Sequence, residues 1–123
     1  MKLQLSRPAG LGNVISGYGD DHVLVNGERH SGSLVITAEA LVPWNVTSFD
    51  ALADAHFEAI AALAPEVVLL GTGRRLRFPA PALTAPLVQA GIGFEVMDLR
   101  AACRTYNVLV AENRRVAAAL LFD

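Results

Sequence analysis

Hydrophobic and polar positions in the first third of the chain come in short extended runs. Val14 to Gly19 and His22 to Val25 are separated by Asp20-Asp21. Asn26-Gly27 follows, then Glu28 to His30 and Ser33 to Thr37. Asn-Gly between extended runs predicts a hairpin, because a two-residue type I′ turn needs positive φ at both central positions. Leu41 to Val46 contains Pro43, which cannot donate to a ladder, so this stretch predicts an edge strand. The period then changes. Thr47-Ser48-Phe49-Asp50 has the form of a helix-start box, and Leu52, His56, Ala59, Ile60 and Leu63 recur at helical spacing. Asp50, Asp54 and Glu58 form the wet stripe of a helix over 50–63, which Pro65 stops.

The second half alternates more regularly. Glu66 to Leu70 predicts a buried strand ending at Gly71-Thr72-Gly73, and Arg74 to Phe78 a polar loop. Pro79, Pro81 and Pro86 punctuate a short helix from Ala82 or Thr84 to Ala90, with Gly91 at its C-terminal end. Gly93 to Met97 predicts another strand, and Asp98 is a good N-cap for the helix after it. That helix gathers Leu99, Ala102, Cys103, Tyr106, Leu109 and Val110 on one face and Arg100, Arg104, Asn107 and Glu112 on the other. Arg115 to Phe122 predicts a final buried strand. No repeat, linker or low-complexity segment interrupts the chain, so residues 1–123 are expected to form one α/β layered domain. Its mostly parallel sheet would be covered by helices, with the early hairpins added at one side.

Composition narrows the function classes. The 123 residues are 53% hydrophobic and 18% charged, which excludes intrinsic disorder. A net charge of −2 argues against a nucleic-acid footprint. Lys2 is the single lysine, and Cys103 the single cysteine, so no internal disulfide forms. The start, Met1 to Pro8, shows no apolar leader core, and the longest apolar run, Val116 to Phe122, is far short of the roughly 20 residues that span a bilayer. A soluble cytoplasmic protein, not membrane-spanning, is the expectation.

Four stretches of the second half then fall into a familiar order. They are Leu69-Leu70-Gly71-Thr72-Gly73, Gly91 through Asp98, Ala101-Ala102-Cys103-Arg104-Thr105-Tyr106-Asn107, and Glu112 through Leu120. This ordered set resembles the Mth938-like domain family, a domain of unknown function, over about Val14 to Phe122. The resemblance implies a three-layer α/β fold with a central mixed sheet, a β layer and a helix on one side, and helices on the other. It implies a last strand antiparallel to its neighbours. Relatives in the family include a mitochondrial factor for assembly of respiratory complex I, and an animal branch linked to adipocyte differentiation. No catalytic residues carry over.

Gly71-Thr72-Gly73 is the strongest local candidate for a site. It lies at the carboxyl end of a predicted buried strand, where open α/β sheets bind ligands. Paired glycines expose backbone N–H groups, and Arg74, Arg75 and Arg77 could add charge-assisted contacts to a small anion. Neither a G-x-G-x-x-G nor a Walker pattern is present, so no nucleotide cofactor is called for; the plain alternative is a tight turn and a solvated loop. Arg104, Thr105, Tyr106 and Asn107 place four polar-capable groups in one helical turn, either as a recognition patch beside Gly71 or as bonds that fix the helix. The candidate ligand-binding set is therefore Gly71, Thr72, Gly73, Arg74, Arg75, Arg104 and Asn107.

Other features read more blandly. Cys103 could be a nucleophile, but its place on the Leu99–Tyr106 face predicts an inert small hydrophobe. His22, His30 and His56 are not at metal-ligand spacing. Trp44 suits either an exposed anchor for a partner or a cover over the hairpin layer. The function expected first is a non-enzymatic binding or assembly protein whose partner is a respiratory-complex subunit or assembly protein. The alternative is a small-molecule or anion site, enzymatic or not, at the Gly71–Arg77 loop. The expected state is a monomer or weak homodimer.

Overall fold

A computed structural model describes residues 12–123; Lys2 and the Met1–Pro8 start lie outside the described residues. Eight strands and three α-helices follow in the order β1 (Ile15–Tyr18), β2 (Val23–Val25), β3 (Glu28–His30), β4 (Leu34–Ile36), β5 (Leu41–Pro43), α1 (Asp54–Ala61), β6 (Val67–Thr72), α2 (Ala85–Gln89), β7 (Gly93–Met97), α3 (Leu99–Ala111) and β8 (Val116–Leu121). The central sheet has the order β5-β4-β8-β6-β7. β6 pairs in parallel with both β7 and β8, while β4 is antiparallel to β8 and β5. Hence β5, β8, β6 and β7 point one way and β4 runs against them.

The implied antiparallel last strand is corrected in part. β8 is antiparallel to β4 but parallel to β6, from Val67 opposite Val116 to Thr72 opposite Leu121. The reason is topological. α3 carries the chain from the end of β7 back to the starting edge, and a helical crossover of this kind returns a strand in the same direction.

Both faces of this sheet are covered, so its inner strands are continuous apolar runs rather than alternating ones. On one face Leu34, Ile36, Leu69, Ala118 and Leu120 pack against α3 and the β1–β2 residues Ile15, Val23 and Val25. On the other, Val35, Val68, Leu70, Ala117, Ala119 and Leu121 meet Phe57 and Ile60 of α1 and Leu87 of α2. Small residues let α3 lie close: a Cβ on Gly71 would sit 3.0 Å from both Ala102 Cβ and Leu120 Cδ2.

β1, β2 and β3 form a separate antiparallel sheet. Asn26 (φ 53°) and Gly27 (φ 85°) make its tight turn as expected. Asp98 caps α3, its Oδ1 accepting from the Ala101 N–H at 2.9 Å. Gly91 (φ 72°) follows α2 in the left-handed region.

Two expectations in the middle of the chain change. The helix over 50–63 is split into a 3₁₀ turn at Phe49–Ala51 and α1 at Asp54–Ala61. Ser48 makes no side-chain cap bond; instead His56 Nδ1 accepts from the Ala53 N–H at 2.9 Å, fixing the later start. Trp44 is buried, but not over the hairpin layer. It packs edge-on to Phe57 at 6.0 Å on the opposite face, and its Nε1–H donates to the His56 carbonyl at 3.1 Å.

Candidate functional site

The loop after β6 is held by its own polar groups. Thr72 is fully buried; its hydroxyl donates to the Arg75 carbonyl at 2.5 Å and accepts from the Arg77 N–H at 3.2 Å. Arg77 turns back over the strand. Its Nη2 donates to the Thr72 carbonyl at 2.7 Å and to Asp123 Oδ1 at 3.3 Å, and its guanidinium lies 4.7 Å from the Phe49 ring centre. At Gly73 (φ 87°) a Cβ would fall on the Asp123 carbonyl oxygen, so no side chain fits there. Its own carbonyl accepts from the Leu99 N–H at 2.8 Å, tying the loop to the start of α3.

Beside this knot lies a cleft of about 270 Å³ lined by Asp20, Gly73, Arg74, Asp98, Leu99 and Arg100. Three elements build it: the β1–β2 turn, the loop after β6 and the first turn of α3. The Asp20 carboxylate faces two guanidinium groups, Arg100 Nη2 at 3.1 Å and Arg74 Nη1 at 3.9 Å. Arg100 also covers the Tyr18 ring at 5.6 Å.

Of the seven residues singled out from sequence, Gly73 and Arg74 line the cleft. Gly71 and Thr72 lie buried beneath the loop. Arg75 is exposed, and its carbonyl accepts from the Thr72 hydroxyl. Arg104 lies one helical turn beyond Arg100, where its Nη1 donates to the Tyr18 hydroxyl at 3.3 Å. Asn107 is spent on the backbone: Oδ1 accepts from the Ile15 N–H at 2.9 Å and Nδ2 donates to the Ile15 carbonyl at 2.7 Å. With the Tyr106 hydroxyl donating to the Asn13 carbonyl at 2.8 Å, it fastens α3 to the hairpin layer. Asp20 and Arg100 were not among the expected site residues. The signal for them was present in the acidic pair between two strands and in the Arg100/Arg104 spacing of one helical turn.

Titration behaviour follows burial. The Cys103 thiol is pushed up to about 12 by desolvation, which the Arg104 charge only partly offsets. The Tyr106 hydroxyl is also pushed up by burial. Arg104 is held more firmly protonated by its bond to Tyr18. The histidines sit apart: His22 pairs with Asp21 at 2.8 Å, His30 lies 3.5 Å from Glu28, and His56 Nε2 donates to the Asn45 carbonyl at 2.9 Å.

The family model described as "Protein of unknown function (DUF498/DUF598)" matches residues 15–121. The chain belongs to this family. Within DUF498, an uncharacterized protein of Rhodobacter capsulatus is 43% identical over 87% of the chain and 82% of its own length. The bovine protein named NADH dehydrogenase [ubiquinone] 1 alpha subcomplex assembly factor 3 is 34% identical over 95% of the chain. The chain spans 65% of that bovine protein's length. A solution structure from Bordetella pertussis, described as a Mth938-like domain, superposes with a TM-score of 0.83 at 34% identity, covering 100% of the chain and 93% of that structure. The Mth938-like three-layer architecture is thus the fold of this DUF498 member. No helix among its described residues is long and apolar enough to cross a membrane.

Proposed function

We propose that the chain is a non-enzymatic binding protein that assists assembly of a respiratory NADH dehydrogenase, working from the cytoplasmic side. The observation that carries this reading is the 34% identity to a protein named for that role, spread over 95% of the chain. The chemistry of the buried groups supports it. The single cysteine is a poor nucleophile at neutral pH, and Thr72, Arg77 and Asn107 are bonded within the fold. Deleting the gene and measuring assembled NADH dehydrogenase tests the reading. Lowered complex with accumulated subassemblies, restored by the tagged protein and accompanied by co-purified complex subunits, is expected. Normal complex levels with no co-purified subunit would overturn it.

One observation favours a second reading. The cleft beside Gly73 and Arg74 is concave and carries two converging guanidinium groups, so it suits a small anion. Titration of isotope-labelled protein with small anions tests it. Saturable shifts at Gly73, Arg74, Leu99 and Arg100 are expected, and their absence removes the reading.

A further inference from the structure

We propose that Asp20 is an internal stand-in for the ligand of the Gly73–Arg100 cleft, and that this ligand is a small carboxylate. This rests on the anion reading above and names its ligand class. Arg74 and Arg100 come from different elements, yet both are aimed at one carboxylate at the tip of the β1–β2 turn. Asp20 has no other partner among the described residues, whereas Asp21 beside it is engaged with His22 at 2.8 Å and Arg29 at 3.6 Å. The Asp20 contacts are weak holds. Its side chain is 53% exposed and those of Arg74 and Arg100 are 69% and 57% exposed, a setting in which ion pairs add little. A free carboxylate can engage the Arg100 guanidinium through both oxygens, which the Asp20 contact, through Oδ1 alone, does not.

Charge decides the class. Asp98 is the other carboxylate on the cleft wall, and it is fixed there by capping α3. Two guanidinium groups and two carboxylates thus line the cleft. Exchange of Asp20 for one monoanion leaves the cleft balanced, while a dianion such as phosphate adds repulsion against Asp98. The N–H groups of Leu99 and Ala101 are already bonded to Gly73 and Asp98, so those two amides are not open to the ligand.

The experiment is a titration of the labelled full chain and of Asp20→Asn with propionate and, separately, inorganic phosphate, following the amides of Gly73, Arg74, Leu99 and Arg100. Removing the competing carboxylate should tighten propionate binding by about fivefold, the range expected when an exposed ion pair no longer occupies the site. Adding Arg100→Gln to Asp20→Asn should abolish the response, with shifts elsewhere reporting an intact fold. Equal propionate affinity in wild type and Asp20→Asn overturns the stand-in role while leaving the anion reading in place. Phosphate binding tighter than propionate overturns the carboxylate assignment. No saturable shift in either protein removes the anion reading itself.

Discussion

Asn107 shows how a polar residue in a helix is spent on the fold. Both ends of its amide serve the backbone of Ile15, so truncation strands a donor and an acceptor between layers. Asn107→Ala should lose about 1–3 kcal/mol in urea unfolding, the usual cost of unsatisfied buried groups. Two left-handed glycines make a sharper comparison. Gly91 (φ 72°) has open space where a Cβ would go, whereas Gly73 (φ 87°) is blocked by the Asp123 carbonyl. Alanine at 91 should cost about 1 kcal/mol for its backbone conformation alone. Alanine at 73 should cost clearly more and shift the resonances of Asp123. Cys103 should resist alkylation at neutral pH in the native protein and react at the rate of unfolding, because burial holds it as a thiol. That burial was legible from the helical spacing of Leu99, Ala102 and Tyr106. The partner of Asn107 was not, since Ile15 lies 92 residues away and no local pattern links the two.

Elements were legible where one period runs long enough to declare itself. α3 starts one residue after the predicted cap, and its apolar face is the one the spacing gives. The split before α1 was not legible, because it turns on a single bond from His56 back to the Ala53 N–H. Nor could pattern alone give the direction of β8, which depends on where a crossover helix lands. The turn between α3 and β8 is fixed by Glu66, whose carboxylate accepts from the Arg115 N–H at 2.9 Å and Arg114 Nε at 3.0 Å. The Arg115 backbone bond, then the Arg114 bond, holds the Glu66 pKa below the ordinary glutamate value of 4.5. A depressed folded-state pKa gives stability that is full above the unfolded value and is lost as pH falls through the folded one. The melting-temperature gap between wild type and Glu66→Gln should therefore be widest above pH 4.5 and close on acidification.

For the molecule as a whole, the edges of the central sheet govern association. β5 ends in Pro43, which has no N–H to offer, and β7 carries exposed Glu95 at its middle. An antiparallel pair of β7 edges centred on that residue would set two carboxylates side by side, a charge arrangement sheets avoid. Sedimentation at micromolar concentration should report a monomer, and Glu95→Val should raise the sedimentation coefficient. The layered architecture was legible from the strand–helix alternation after residue 66. The Asp20–Arg74–Arg100 meeting was not, because it needs the hairpin layer docked on the start of α3.

The central place of β8, between β4 and β6, has a consequence for biosynthesis. As the chain leaves the ribosome, β4 waits beside its hairpin mate and β6 beside β7, with nothing to join them. The two halves become one sheet only when Val116–Leu121 threads the gap, so until then the facing edges of β4 and β6, rich in valine and leucine, stay open to chaperones.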